Sequence, residues 1–148
     1  MAWEVEYTDE FGEWWESLTE EEQADVIAYV GELERRGPML PFPYSSDIKG
    51  SKHGAMRELR IQSGGKPIRI LYAFDPRRTA ILLIGGKKAG VKRFYGQLIL
   101  IADRLYDLHL AELREESEKE RTHGRATSVR GTSREDVTEG AKPRRGKS

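Results

Sequence analysis

The 148-residue chain contains 25 Lys+Arg and 25 Asp+Glu, so its formal net charge is zero, and its mean hydropathy of -0.68 is low. This length suits one domain with a polar extension. The chain has no cysteine, which excludes disulfides, thiolate nucleophiles and cysteine-ligated metal sites. Its acidic N-terminal residues and the lack of a long apolar run predict a cytoplasmic protein without a signal peptide or membrane-spanning segment.

The charges are segregated along the chain. Residues 1–48 hold 13 acidic and 2 basic residues, whereas residues 49–93 hold 12 basic and 2 acidic ones. Such a cationic block attracts polyanions, because each phosphate contact releases condensed counterions. The block therefore indicates a nucleic-acid partner. The alternative is that the acidic first third neutralises it inside the folded molecule.

The N-terminal quarter predicts a strand followed by two helices. Residues 3–7 alternate aromatic or apolar residues with glutamates, the period of a half-buried strand. Residues 11–18 form a short second element that carries two tryptophans. Thr19 and Glu22 have the spacing of a capping box, and apolar residues then recur at helical spacing until a Gly-Pro stop signal at residues 37–38.

The cationic block predicts three antiparallel strands after a loop rich in proline and glycine, residues 38–54. Residues 56–62, 68–74 and 79–84 have strand character and are joined by short turns, which is typical of a meander. Residues 80–84 are apolar at every position. This pattern indicates a central strand that is buried on both faces.

The C-terminal part predicts one helix and a tail. From Phe94 onward, apolar residues recur at helical spacing until about Glu115. Residues 114–148 hold 17 charged residues and few apolar ones, too few to offset the entropy of ordering the segment. We therefore predict a folded domain of residues 1–113 and a charged, disordered tail of residues 114–148.

These elements predict an α+β fold. We expect a small twisted antiparallel sheet, made of the first strand and the three-strand meander, with helices packed on one face and a C-terminal helix. The opposite face is expected to stay open. Arg60 and Arg69 would project from it beside a glycine-flanked basic loop, residues 85–90.

Three segments of the chain resemble one toxin family. They are residues 54–61 (GAMRELRI), residues 67–74 (PIRILYAF) and residues 85–88 (GGKK). In this order they are similar to the RelE/ParE superfamily of toxins, in particular to the HigB-like branch related to phage Gp49 proteins. The resemblance covers roughly residues 3–110. It implies a RelE-like domain that cuts mRNA on the ribosome and is inactivated by a cognate antitoxin, expected to be a helix-turn-helix protein.

The resemblance implies five catalytic residues: Arg60, Arg69, Lys87, Lys88 and Tyr95. RNA is cut when its own 2'-hydroxyl attacks the adjacent phosphorus, so no protein nucleophile is needed, and we expect no metal and no cofactor. Guanidinium groups bind phosphate oxygens as a fork, and a lysine among other cations can transfer a proton. A tyrosine can stack on a base or donate its hydroxyl proton.

Further basic residues around these candidates are expected to bind RNA: Lys49, Lys52, His53, Arg57, Lys92 and Arg93. A histidine side chain can accept and release a proton, so His53 is also a candidate proton carrier. A plainer role as solvated surface stays open for each of these side chains. Two other functions also stay open for the whole chain: a ParE-like inhibitor that binds DNA gyrase, and a non-catalytic module that binds nucleic acid or an antitoxin.

Overall fold

The computed structural model describes residues 2–88 and 92–123, apart from the side chains of residues 92, 122 and 123. Within these ranges, no helix is both long enough and apolar enough to cross a membrane. The described chain forms a five-stranded sheet with helices on both faces, which confirms the predicted α+β class. The elements are β1 Val5–Tyr7, α1 Asp9–Glu16, α2 Glu20–Arg36, a 3-10 turn Gly37–Met39, β2 Ser45–Asp47, β3 Arg57–Ser63, β4 Lys66–Phe74, β5 Ala80–Lys87 and α3 Lys92–His123.

The sheet has the strand order β1-β5-β4-β3-β2. β1 pairs with β5 in parallel, and the other neighbouring strands are antiparallel. β2 is a short edge strand within the segment that the sequence predicts to be a loop. The register places Arg60 of β3 opposite Arg69 of β4, and Arg69 opposite Gly86 of β5. Directly opposed side chains lie on the same face of a sheet, so this register brings the two arginines together.

Local sequence signals determine the bounds of α1 and α2. The Thr8 hydroxyl accepts a hydrogen bond from a backbone N–H in the first turn of α1. Thr19 and Glu22 form the predicted capping box at the start of α2. α2 ends at Gly37, whose φ is 56° and where a Cβ atom would lie 2.4 Å from the Trp3 ring. Only glycine fits at that position.

α1 and α2 cover one face of the sheet. The buried side chains of this layer include Phe11, Trp15, Val26, Val30, Leu33, Leu59, Ile61, Ile68, Ile70 and Leu82. α1 approaches β5 so closely that a Cβ atom at Gly85 would lie 2.3 Å from the ring of Trp14. A glycine at residue 85 is therefore what allows the tryptophan to pack directly on the strand.

α3 covers the other face, which corrects the expectation that this face stays open. Its buried side chains, such as Leu98 and Leu105, pack against Leu71 of β4 and Leu83 of β5. The helix lies over β4 and β5, and Arg60 on the neighbouring β3 keeps 30% of its side chain exposed. At Arg60, on the border between β3 and α3, this face therefore stays partly open.

α3 also extends beyond the end that the sequence predicts. It continues to His123, so residues 114–123, which were assigned to the disordered tail, are helical. The rest of that predicted tail, residues 124–148, lies outside the described residues. The domain boundary at residue 113 accordingly stays a prediction.

Candidate functional site

Arg60 and Arg69 converge on one carboxylate. Nη1 of Arg60 lies 3.2 Å from Oε2 of Glu58, and Nε of Arg69 lies 3.6 Å from Oε1 of the same side chain. Only 7% of the Arg69 side chain is exposed, and it also donates a hydrogen bond to the carbonyl of Ile68 at 3.1 Å. The two arginines therefore differ in role, because Arg60 reaches the solvent and Arg69 is enclosed.

Tyr95, near the start of α3, completes the contact around the carboxylate. Its hydroxyl donates a hydrogen bond to Oε1 of Glu58 at 2.7 Å and accepts one from Nε of Arg69 at 3.3 Å. Burial, and after it the hydrogen bond to Glu58, raises the pKa of the Tyr95 hydroxyl. The phenol consequently keeps its proton at neutral pH. The ammonium group of Lys88 lies 5.6 Å from the centre of the Tyr95 ring.

Two residues before β3 contact the same group of side chains. The Ser46 hydroxyl donates a hydrogen bond to Oε2 of Glu58 at 2.7 Å. The guanidinium carbon of Arg60 lies 5.1 Å from the centre of the Phe42 ring. We name the assembly of Ser46, Glu58, Arg60, Arg69, Lys88 and Tyr95 the Glu58 cluster. It combines a carboxylate, a protonated phenol and three cations, which can bind an anion and transfer a proton.

Lys87 lies on the opposite face of the sheet from Lys88, so the expectation that both lysines share one site needs correction. Nζ of Lys87 lies 3.0 Å from Oε2 of Glu22 in α2. β5 continues to residue 87, and successive side chains of a strand point to opposite faces. Arg57 is likewise on the α2 side of β3, where it binds the side chains of Ser45 and Asp47.

Two other residues predicted to bind RNA, Lys52 and His53, have their partner outside the cluster. Lys52 and His53 both bind the carboxylate of Asp107 on α3, at 2.7 and 2.8 Å, and the hydrogen bond from Lys52 raises the pKa of this lysine. Lys49 and Arg93 are exposed, and the side chain of Lys92 lies outside the described residues. An RNA-binding role for all of them, and for Arg57, stays a prediction.

The family model for phage-derived Gp49-like proteins matches residues 13–107, which include the whole Glu58 cluster. The chain belongs to the Gp49-like family. It is also 40% identical over 110 residues to HigB2 of Mycobacterium tuberculosis, a protein named as a candidate toxin, covering 73% of this chain and 55% of HigB2. A second candidate toxin of that organism, HigB3, is 43% identical over 99 residues, covering 66% of this chain and 85% of HigB3.

These comparisons confirm the HigB-like, Gp49-related branch to which the sequence is similar. The match spans about half of the length of HigB2.

Sequence reasoning missed Glu58, Ser46 and Phe42 in this Gp49-like protein. One signal for Glu58 was available, because it is one of only two acidic residues among residues 49–93, and an isolated acid among cations is expected to be paired with them. No comparable signal exists for Ser46 or Phe42. They come from a loop and an edge strand whose position against β3 depends on the fold.

The second acid of the cationic block, Asp75, is the centre of another buried network. Its carboxylate accepts hydrogen bonds from Nε2 of His109 at 2.8 Å and from Arg77, which also binds Glu6 at 2.8 Å. Burial alone would raise the pKa of Asp75, but the hydrogen bonds from His109 and Arg77 outweigh it and lower the pKa to about 2. None of the predicted site residues belongs to this network, so we assign it to stability.

Proposed function

We propose that this Gp49-like protein is the toxin of a toxin-antitoxin pair and that it acts as an endoribonuclease, cutting mRNA on the ribosome. Family membership and the similarity to two proteins named as candidate toxins support the first part. The Glu58 cluster supports the second part. The observation that carries it is the placement of a protonated phenol, Tyr95, within 2.7 Å of a carboxylate beside two partly exposed cations.

Arg60 and Lys88 are the groups that would bind the phosphate. Both are partly exposed, whereas Arg69 is enclosed by Glu58, Tyr95 and its own strand. In the proposed complex Arg60 turns from Glu58 to the phosphate oxygens, and its planar fork fits two of them. Arg69 remains in place and acts as a positioning residue for Glu58 and Tyr95.

The proton transfers would involve Tyr95 and Glu58. The 2'-oxygen forms a bond to phosphorus while the bond from phosphorus to the 5'-oxygen breaks. Glu58, released by Arg60, accepts the 2'-hydroxyl proton, and Tyr95 gives its proton to the leaving 5'-oxygen. Glu58 then returns a proton to the phenolate across the 2.7 Å hydrogen bond, which restores the starting state.

The proposed partners are the ribosome with its mRNA and a cognate antitoxin of the helix-turn-helix class. An antitoxin would have to cover Arg60 and Lys88 or prevent the cluster from reaching the ribosome. Acidic groups on the antitoxin would suit the first route, since these two cations are partly exposed.

The test is to add the purified full chain to a translating extract and map new 5' ends in the mRNA. The unaltered protein is expected to generate such ends, and Arg60→Ala to lower their rate about 100-fold, the usual effect of removing one donor from a developing charge. Arg35→Ala is the control, because it removes an arginine that pairs with Glu32 at the surface of α2 and was not predicted to belong to the site. It should change the rate less than threefold.

Equal unfolding midpoints for the two variants would show that both are folded. No new 5' ends with the unaltered protein would contradict the proposal. If DNA supercoiling by gyrase were inhibited instead, a ParE-like activity would replace it.

A further inference from the structure

Phe42 is a large aromatic side chain that is 67% exposed at the edge of the Glu58 cluster. Met39 and Tyr44 in the same loop are also exposed, whereas Leu40 between them is buried. A single exposed apolar residue is ordinary, but Phe42 lies against Arg60, a cation of the charged cluster. The exposed aromatic ring is therefore a candidate for contact with a ligand of that site.

Arg60 connects this ring to the cluster. Its guanidinium carbon lies 5.1 Å from the centre of the Phe42 ring, while Nη1 contacts Glu58 at 3.2 Å. Nε of Arg60 is buried and has no hydrogen-bond partner among the described residues. A buried donor without a partner costs free energy, so the contact with Phe42 does not complete the bonding of this arginine. The ring of Phe42 and the exposed 30% of the Arg60 side chain are the parts that a ligand can contact.

We propose that Phe42 forms a nucleobase subsite, in which an unpaired RNA base stacks on its exposed ring next to the phosphate that Arg60 binds. This inference rests on the proposed function and deepens it by naming a contact that recognises a base of the RNA. Charge favours this occupant over an apolar side chain of a partner protein. The ring lies against a cation of a cluster that also contains Arg69 and Lys88, and a nucleotide supplies both an aromatic face and an anion.

The proposed subsite predicts a sequence preference of the cutting reaction. Every base can stack on an aromatic ring, but purines present the larger face, so sequence preference follows stacking strength. Purines are therefore enriched at one fixed position relative to the cut. An alanine at residue 42 removes both the stacking and the enrichment, and a tryptophan restores both.

The experiment sequences the new 5' ends that four forms of the full chain produce in a translating extract: the unaltered protein, Phe42→Ala, Phe42→Trp and Leu100→Ala. Leu100 is 71% exposed on α3 and is not a member of the cluster, so Leu100→Ala controls for the loss of an exposed apolar group. We expect Phe42→Ala to lower the cleavage rate by about fivefold to hundredfold and to abolish the purine enrichment. Phe42→Trp and Leu100→Ala should retain both.

Three results would overturn the subsite. One is a Phe42→Ala protein that cuts with the rate and site preference of the unaltered protein. A second is a lower rate with unchanged preference, or no rescue by Phe42→Trp, either of which would indicate a structural role or contact with a protein partner. The third is the absence of any cutting by the unaltered protein, which would remove the proposed function together with the subsite. The first two leave the proposed function standing as long as Arg60→Ala lowers the cutting rate as predicted.

Discussion

At the scale of single residues, Glu58 determines whether the arginines of the cluster can be buried. Removal of its carboxylate leaves Arg69, which is 7% exposed, without a compensating charge. We predict that Glu58→Ala lowers the free energy of unfolding by about 3–5 kcal/mol, measured by urea denaturation. Glu32→Ala is the control, because Glu32 pairs with Arg35 and Arg36 at the surface and should contribute less than about 1 kcal/mol. Similar losses in both variants would contradict this role.

A second prediction at the residue scale concerns the pH dependence of the stability that Asp75 contributes. The pKa of its carboxyl group in the folded protein is about 2, below its ordinary value of 3.8. The network around it therefore stabilises the folded chain fully above about pH 4, and this contribution is lost as the pH falls toward 2. We expect Asp75→Asn to lower the unfolding free energy at pH 7 by about 2 kcal/mol, and this difference to shrink as the pH falls from 4 to 2.

Unfolding by urea at several pH values measures the difference. Asp47→Asn is the control, since the Asp47 side chain is 82% exposed and its removal should leave the acid dependence unchanged. A difference between the unaltered protein and Asp75→Asn that stayed constant from pH 7 to pH 2 would show that Asp75 does not titrate as described.

The sequence predicted some of the cluster and misplaced one member. Arg60, Arg69, Lys88 and Tyr95 were all candidates, and the register of β3 against β4 brings them together. Lys87 was misplaced because residues 85–90 were interpreted as a loop, in which the directions of neighbouring side chains cannot be predicted. β5 continues to Lys87, and strand alternation then turns it away from its neighbour.

At the scale of elements, α2 was predictable and the partners of the edge strands were not. The capping box and the glycine stop are local signals, and they give α2 its bounds within one residue. β1 pairs with β5, which lies about 75 residues further along the chain, and no local pattern specifies that pairing. β2 has the sequence SSD, which lacks the alternation of apolar and polar residues that predicts a strand, so its pairing with β3 could not be predicted.

The position of α3 could have been inferred from β5. Residues 80–84 are apolar throughout, so both faces of that strand need a cover, and α1 and α2 occupy only one of them. We predict that Leu105→Ala lowers the unfolding free energy by about 2–5 kcal/mol, because Leu105 is 4% exposed on the side of α3 that packs against the sheet. Leu108→Ala, in the next turn and 54% exposed, should cost less than about 0.5 kcal/mol. Equal effects in urea denaturation would contradict the packing of α3 on this face.

At the scale of the whole molecule, the structure supports in part the alternative that acids of the first third neutralise the basic block, and a nucleic-acid partner stays a prediction. Acids of the first third neutralise three cations of the basic block, in the pairs Arg57 with Asp47, Arg77 with Glu6 and Lys87 with Glu22. Two further cations of the block pair with acids outside the first third, Arg60 with Glu58 and Lys52 with Asp107. Several of the twelve basic residues are therefore paired within the chain, and Arg60 and Lys88 remain partly exposed at the cluster.

This arrangement predicts a weak salt dependence of RNA binding. Each phosphate contact with single-stranded RNA contributes about -0.7 to the slope of log K against log salt concentration. Two or three contacts give a slope of roughly -1.4 to -2.1, whereas twelve independent cations would give about -8. Fluorescence anisotropy with a non-cleavable single-stranded RNA at 50–200 mM salt measures the slope. A value near -8 would show that the whole basic block binds RNA.

The proposed active site lies on the side of the sheet that α3 covers, and the neighbouring Lys87 and Lys88 point to opposite sides of it. We would measure the rate of mRNA cutting in a translating extract for Lys88→Ala and Lys87→Ala, with the unfolding midpoint of each variant as a check. Lys88 lies over the Tyr95 ring and Lys87 binds Glu22 on the other face. We predict that Lys88→Ala lowers the rate at least about tenfold and that Lys87→Ala leaves it within threefold. A normal rate with Lys88→Ala, or a comparable loss with Lys87→Ala, would contradict the Glu58 cluster as the active site.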